Sequence, residues 1–205
     1  MPSMEVWIEY ASTYSYLTVA RIGALAGARG VALDWRPFAL GAVRTEQQLP
    51  FPFPPESPKT AYMWLDLERR ARALGLPYRR PETYPVNSLP TARIALLGVR
   101  EGWCQAFTEQ VFRLHWVEGR LIGGDDNLRS ALGTLGLDAD AVIAQAQTPA
   151  HKERFRQQSA DALARGIFGA PSFVVDGELF WGDDRLEMAL ERAAAAQGRP
   201  AFGKV

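Results

Sequence analysis

Residues 6–17 read Val6-Trp7-Ile8-Glu9-Tyr10-Ala11-Ser12-Thr13-Tyr14-Ser15-Tyr16-Leu17, and this stretch decides the fold. Its first part, Val6 to Tyr10, is short, β-branched and aromatic, as a strand should be. It runs straight into Ser12. From Tyr14 to Arg29 the apolar residues Tyr14, Leu17, Ala20, Ile22 and Leu25 recur at helical spacing, and Gly30 stops the run. Val31 to Leu40 then alternates around Leu33, Trp35 and Phe38 as a second strand. Strand, helix, strand in that order is a βαβ unit, with parallel strands and a right-handed crossover.

The character changes near Gly41. Pro50, Pro52, Pro54, Pro55 and Pro58 crowd together, which neither a helix interior nor a central strand tolerates. Helix signatures follow. Ser57 and Pro58 open one that runs to about Leu74, with Gly75 as its stop. Ser88 and Pro90 open another that ends near Gly102, and a third covers Trp103 to Val117. Asp125 and Asp138 are candidate caps of two short helices, and Pro149 starts a longer one reaching Arg165.

The α/β frame resumes at Gly166. Pro171 precedes the apolar run Ser172 to Val175, Asp176-Gly177 is a hairpin turn, and Glu178 to Trp181 returns as a strand. Asp183 and Asp184 sit where a last helix begins, Arg185 to Gln197 completes it, and the tail after Gly198 is expected to fray. The element order matches an α/β, thioredoxin-like fold with an inserted all-helical domain. Residues 1–43 and 160–205 form the discontinuous thioredoxin-like domain, and residues 44–159 form the helical insertion domain.

Composition removes several function classes. The chain has 205 residues, 47% of them hydrophobic, enough for a core without disulfides or a structural metal. Its 23 basic residues balance 23 acidic ones, which argues against nucleic acid as a partner. A single cysteine, Cys104, allows no internal disulfide, and the only histidines, His115 and His151, make a metal centre unexpected. Cys104 and His115 fall among tryptophans in the helical region and read as packing residues. The N-terminus has no basic region followed by an apolar run, and no apolar stretch approaches the ~20 residues that cross a bilayer. A cytoplasmic protein with no membrane partner is expected.

In a thioredoxin-like fold the chemistry belongs at the turn from the first strand into the first helix. Helix amides and the macrodipole there favour negative charge, so a thiol at that place loses its proton readily. Ser12-Thr13-Tyr14-Ser15 keeps the spacing of a Cys-x-x-Cys pair with hydroxyls in place of both sulfurs. Disulfide exchange by the chain's own residues is excluded; chemistry on a thiol carried in by a ligand is not. Locally, Ser12 also reads as a plain helix N-cap.

Tyr10 to Leu17 resembles the Ser-Pro-Tyr-Ser-Tyr-Leu signature of the 2-hydroxychromene-2-carboxylate isomerases, relatives of the kappa-class glutathione transferases, with Thr13 where proline is usual. Residues 166–182 are similar to that family's second signature, and Asp183-Asp184-Arg185-Leu186 continues it. Lys59, Tyr62, Asp66 and Tyr84-Pro85-Val86-Asn87 are similar to its insertion motifs. The resemblance implies a glutathione-dependent isomerase, acting on a small aromatic substrate and assembling as a homodimer.

It implies the following roles. Ser12 hydrogen-bonds the glutathione sulfur and stabilises the thiolate. Pro171 is cis, and Ala170 offers its backbone N–H and C=O to glutathione as to an added strand. Trp181, Gly182, Asp183 and Asp184 meet the γ-glutamyl end. Lys59 and Asn87 flank the substrate, with Tyr14, Trp64 and Phe168 as candidate lining. Asp183 also reads as a cap, Lys59 as a first-turn surface charge, and Arg69, Arg70, Arg72, Arg79 and Arg80 as a solvated face. Two other functions remain open: a kappa-like transferase or peroxidase that consumes glutathione, and a non-catalytic module binding peptides at the Ala170 edge.

Overall fold

In β1 (Ser3–Ile8) the alternate residues Met4, Val6 and Ile8 are fully buried, while Trp7 is buried on the opposite face. β1 is therefore a central strand, with apolar packing on both sides. β2 (Ala32–Pro37) pairs with it in parallel, Met4 opposite Leu33 and Val6 opposite Trp35. α1 (Thr13–Gly27) crosses between them, as the periodicity requires. On the other side lie β3 (Ser172–Val175) and β4 (Glu178–Trp181), each antiparallel to its neighbour, giving the order β2-β1-β3-β4. The β3–β4 turn places both Asp176 and Gly177 at positive φ, 50° and 83°, as a tight hairpin of this kind demands. The computed structural model describes residues 1–48, 54 and 56–195. Pro50, Pro52, Pro55 and the tail from residue 196 onward, including Gln197, lie outside them.

The helices between the two halves are α2 (Leu40–Glu46), α3 (Pro58–Ala73), α4 (Leu89–Glu101), α5 (Cys104–Trp116), α6 (Asp125–Thr134), α7 (Ala139–Ala146) and α8 (Pro149–Ala164). Proline in the first turn marks α3, α4 and α8, where a missing N–H costs nothing. Ser57, Asp138 and Thr148 cap α3, α7 and α8 by accepting from the amides of Thr60, Ala141 and His151. Two details differ from the sequence reading. Asp125 is the first helical residue of α6 rather than its cap, and its carboxylate pairs with Arg129 at 2.6 Å. The short α2, where a change of character without a helix was expected, follows β2 almost at once and buries Val43 against Trp7, Phe38 and Ile167.

One apolar cluster runs from Ile8, Leu17, Ile22 and Phe173 of the frame into Leu97, Phe107, Val111 and Phe112 of α4 and α5. A smaller one, around Trp7, Phe38, Ile167 and Val174, covers the other face of the sheet. β1 thus ends at Ile8 inside a packed scaffold, which positions the turn that follows. The last helix, α9 (Leu186–Ala195), follows a single 3₁₀ turn at Asp183–Arg185.

Candidate active site

The turn from β1 into α1 carries Ser12 in the cap position of α1, yet its side chain makes no capping hydrogen bond. Ser12 Oγ instead donates to the carbonyl of Ala170 at 2.9 Å, across 158 positions of sequence. The plain N-cap reading is therefore set aside: the hydroxyl faces the β3 side of the site. The Ala170–Pro171 bond is cis, as expected. The Ala170 carbonyl, expected to be free for a ligand, is occupied by Ser12. The Ala170 amide has no hydrogen-bond partner among the described residues. Ser12 and Ala170 are both half-buried, while Pro171 is buried.

The β4 end closes this side. The Pro171 carbonyl accepts from the Gly182 amide at 2.9 Å, and Ser172 Oγ donates to the Gly169 carbonyl at 2.9 Å. Gly182 sits at φ 106°, a conformation L side chains rarely adopt, so glycine is required where the chain leaves β4. Trp181 is 53% exposed and meets Phe168 edge-on, ring centroids 4.8 Å apart. Gly169 permits this, since a Cβ there would lie 2.2 Å from Trp181 Nε1. Phe168 and Trp181 form an apolar rim beside Ala170.

Asp183 and Asp184 part company. The Asp183 side chain is fully buried: Thr18 Oγ1 (3.1 Å) and Arg21 Nη2 (2.9 Å) donate to Oδ1, and Arg70 Nη2 (2.7 Å) donates to Oδ2. Burial of a carboxylate is strongly unfavourable unless such partners surround it. Arg21 also pairs with Glu187. Asp184 is exposed, 3.5 Å from Arg185. Arg21, Arg70, Leu74, Asp183, Asp184 and Glu187 line an open hollow of about 200 Å³. Arg70 is thus no part of a solvated face; it ties α3 to the turn before α9. Arg69, Arg72, Arg79 and Arg80 are exposed as expected, and the Arg80 guanidinium lies 4.8 Å from the Trp64 ring.

Tyr14, the second residue of the site helix, is half-buried and donates to Asp66 Oδ2 at 2.7 Å, with Arg70 5.8 Å from its ring. Burial and Asp66 both push its pKa up, so it stays a neutral phenol. Trp64 is buried and packs edge-on against Tyr84 at 5.1 Å, so of the candidate lining residues Phe168 is at the surface and Trp64 is core. Lys59 is exposed at the second position of α3, two turns before Asp66. Asn87 is exposed, and its Oδ1 accepts from the Leu89 amide at 3.2 Å, leaving its NH2 for other acceptors. A Cβ at Gly123 would lie 2.1 Å from the Asn87 carbonyl, so that glycine lets the 84–88 loop sit where it does.

The loop joins the site through a residue the sequence reading passed over. Ser88 Oγ donates to Glu9 Oε1, and Glu9 precedes the Ser12 turn. Its position as a charged residue ending an apolar central strand was the available signal. Cys104 and His115 are packing residues as expected: burial pushes the Cys104 thiol up to about 12, and His115 lies edge-on to Trp116 at 4.8 Å. No group of side chains suited to a metal ion occurs among the described residues, nor any helix long and apolar enough to cross a membrane.

Comparison with known proteins gives this geometry a context. The 2-hydroxychromene-2-carboxylate isomerase of Sphingobium xenophagum is 28% identical over 186 residues, covering 90% of this chain and 94% of that one. That of Pseudomonas putida is 29% identical over 188 residues, covering 90% and 91%. A solved structure of a 2-hydroxychromene-2-carboxylate isomerase superposes with a TM-score of 0.84 at 27% identity, covering 95% of each chain. The cytosolic disulfide reductase DsbM of Pseudomonas aeruginosa, solved with GSH, shares the fold at a TM-score of 0.65 and 19% identity, covering 95% of this chain and 97% of that one. Residues 3–194 match the DSBA-like thioredoxin domain, and the chain belongs to that family.

Proposed function

We propose that this chain is a glutathione-dependent isomerase that interconverts 2-hydroxychromene-2-carboxylate and trans-o-hydroxybenzylidenepyruvate, or a close aromatic analogue. The observation that carries the reading is the Ser12–Ala170 hydrogen bond: a thioredoxin-type turn that aims a hydroxyl, not a thiol, at the strand edge beside a cis proline. The residues fit a small thiol peptide. The Ala170 amide is an available donor at an extended edge, Trp181 and Phe168 offer an apolar rim, and Asp184 is an exposed carboxylate on the open hollow.

When bound, glutathione supplies a thiolate that adds reversibly to the substrate's conjugated carbon and is recovered afterwards. A free thiol has a pKa near ~8.5, so only a small fraction is ionised at neutral pH. Ser12 raises that fraction by turning its proton from the Ala170 carbonyl to the sulfur, and the α1 N-terminus favours the same negative charge. Released from Ser12, the Ala170 carbonyl can accept alongside its amide, as in strand addition. With both oxygens of Asp183 already engaged, Asp184 is the carboxylate available to a ligand ammonium, and Asp183 serves by holding the turn. Lys59 and the Asn87 NH2 supply donors for the substrate carboxylate.

The test is turnover by the wild-type chain and Ser12→Ala, with and without glutathione. Turnover that depends on glutathione, with glutathione recovered unchanged, supports the reading. Undiminished activity without it sinks the scheme. Accumulating conjugate points to a transferase, and absence of glutathione binding in calorimetry points to a peptide-binding module.

A further inference from the structure

Glu9 is half-buried between two pieces of the site. Its backbone carbonyl accepts from the Ser12 amide at 3.2 Å. Its carboxyl accepts from Ser88 Oγ, in the loop that carries Asn87, and faces the amides of Tyr10, Ala11 and Ser12. The titratable groups that feel its charge are Tyr10 and Tyr84. No arginine, lysine or histidine among the described residues pairs with it. Asp183, the fully buried carboxylate of the site, is by contrast matched by two arginines.

A purely structural role explains this poorly. Anchoring Ser88 needs only an acceptor, and a glutamine would provide one without the cost of burying an ionisable group next to no cation. A buried carboxyl held by hydrogen bonds alone, with no cation beside it, is a local departure of the kind that concentrates at functional positions. Burial raises the pKa of the Glu9 carboxyl above its ordinary value, although Ser88 and the three amides pull the other way. A carboxyl at that place can both take and return a proton.

Resting on the isomerase reading above, we propose that Glu9 is the acid–base residue of the reaction, moving one proton between the two oxygens of the substrate's cyclic hemiketal. The Glu9 carboxylate removes the proton of the ring-carbon hydroxyl, and the freed O–H electron pair becomes the C=O π bond. The ring C–O bond breaks with its electrons leaving on the phenolic oxygen, and the Glu9 acid returns the proton there. The carboxylate is regenerated and no oxidant, reductant or further reactant is needed. Closure of the ring is the same sequence reversed.

Glu9→Gln keeps an acceptor for Ser88 and removes the titration. With glutathione present, kcat should fall about 10²–10⁴-fold, the usual worth of general acid–base catalysis, while KM for glutathione holds. The limb of the kcat–pH profile assigned to a carboxyl should vanish. Without glutathione, ¹³C NMR of the glutamate-labelled chain should show one carboxyl titrating above the rest, absent in Glu9→Gln. Ser88→Ala should move both that resonance and that limb to higher pH. A Glu9→Gln variant with wild-type kcat and an unchanged profile overturns the assignment alone, as does an apo spectrum with no such resonance. A wild-type chain with no glutathione-dependent turnover overturns the isomerase reading, and the assignment with it.

Discussion

Ser12 Oγ gives its only proton to the Ala170 carbonyl in the free chain, a neutral hydrogen bond whose net worth is about 1 kcal/mol. The same proton on a thiolate belongs to a charge-assisted bond worth about 1.5–3 kcal/mol. Ser12→Ala should therefore lower kcat/KM by roughly 10–100-fold at pH 7, move the pH–rate profile to higher pH, and lower the melting temperature by only about 2–4 °C. A loss confined to stability would remove Ser12 from the chemistry. Cys104 supplies the complementary check. Buried at 4% exposure, with its thiol pushed up to about 12, it should resist Ellman's reagent in the native state and react once unfolded. Cys104→Ala should retain glutathione-dependent turnover. Both residues were legible in the sequence, because the spacing within the turn and the absence of a second cysteine are local facts. Asp183 was only half legible: its neighbour in the chain looks equivalent, and the arginine that makes it different, Arg70, is 113 positions away.

At the scale of elements, the 3₁₀ turn Asp183–Arg185 is held from two directions, by Thr18 and Arg21 on α1 and by Arg70 on α3. Removing one member of such a buried pair leaves a charge without compensation. Asp183→Ala should cost about 3–5 kcal/mol in chemical denaturation. Arg70 keeps 31% side-chain exposure, so Arg70→Ala should cost far less, and a double-mutant cycle should show coupling between them. Strict additivity would mean the link between α3 and the turn contributes nothing. The rim has its own constraint. Gly169→Ala places a methyl group within 2.2 Å of Trp181 Nε1, so Trp181 must swing away from Phe168, and tryptophan emission should shift together with KM for glutathione. The strands, the hairpin and the long helices followed from periodicity and turn residues. α2 did not: it has seven residues, a glycine in its first turn, and owes its place to Val43 packing against Trp7 and Phe38.

For the whole molecule, the buried titratable groups pull stability in opposite directions along the pH scale. His115 and His151 have lowered pKa values in the fold, burial being the main cause, partly opposed by hydrogen bonds to the carbonyls of Arg120 and Arg93; Arg154, Arg100 and Arg93 add to the lowering at His151. Both rings favour the neutral form in the native state, while the unfolded chain protonates them below about 6.5. The unfolded state then binds more protons, so stability falls as pH drops below that value and levels off above it. His151 has a further reason: its Nδ1 has no partner among the described residues, so a proton added there finds no acceptor among them. Thermal melts should be flat between pH 7 and 8 and decline towards pH 5, less steeply in a His115→Gln/His151→Gln variant. Glu9 has the opposite sign. Its folded pKa is raised above the ordinary 4.5 by burial, so the native state holds the proton longer than the unfolded one, and stability is lost as pH rises through that folded value. Glutamine at position 9 carries no such dependence. Relative to wild type, Glu9→Gln should therefore gain stability progressively as pH rises from about 4.5, and the difference between the two melting temperatures should be smallest in acid. A difference independent of pH would mean that Glu9 ionises in the fold as freely as in the unfolded chain.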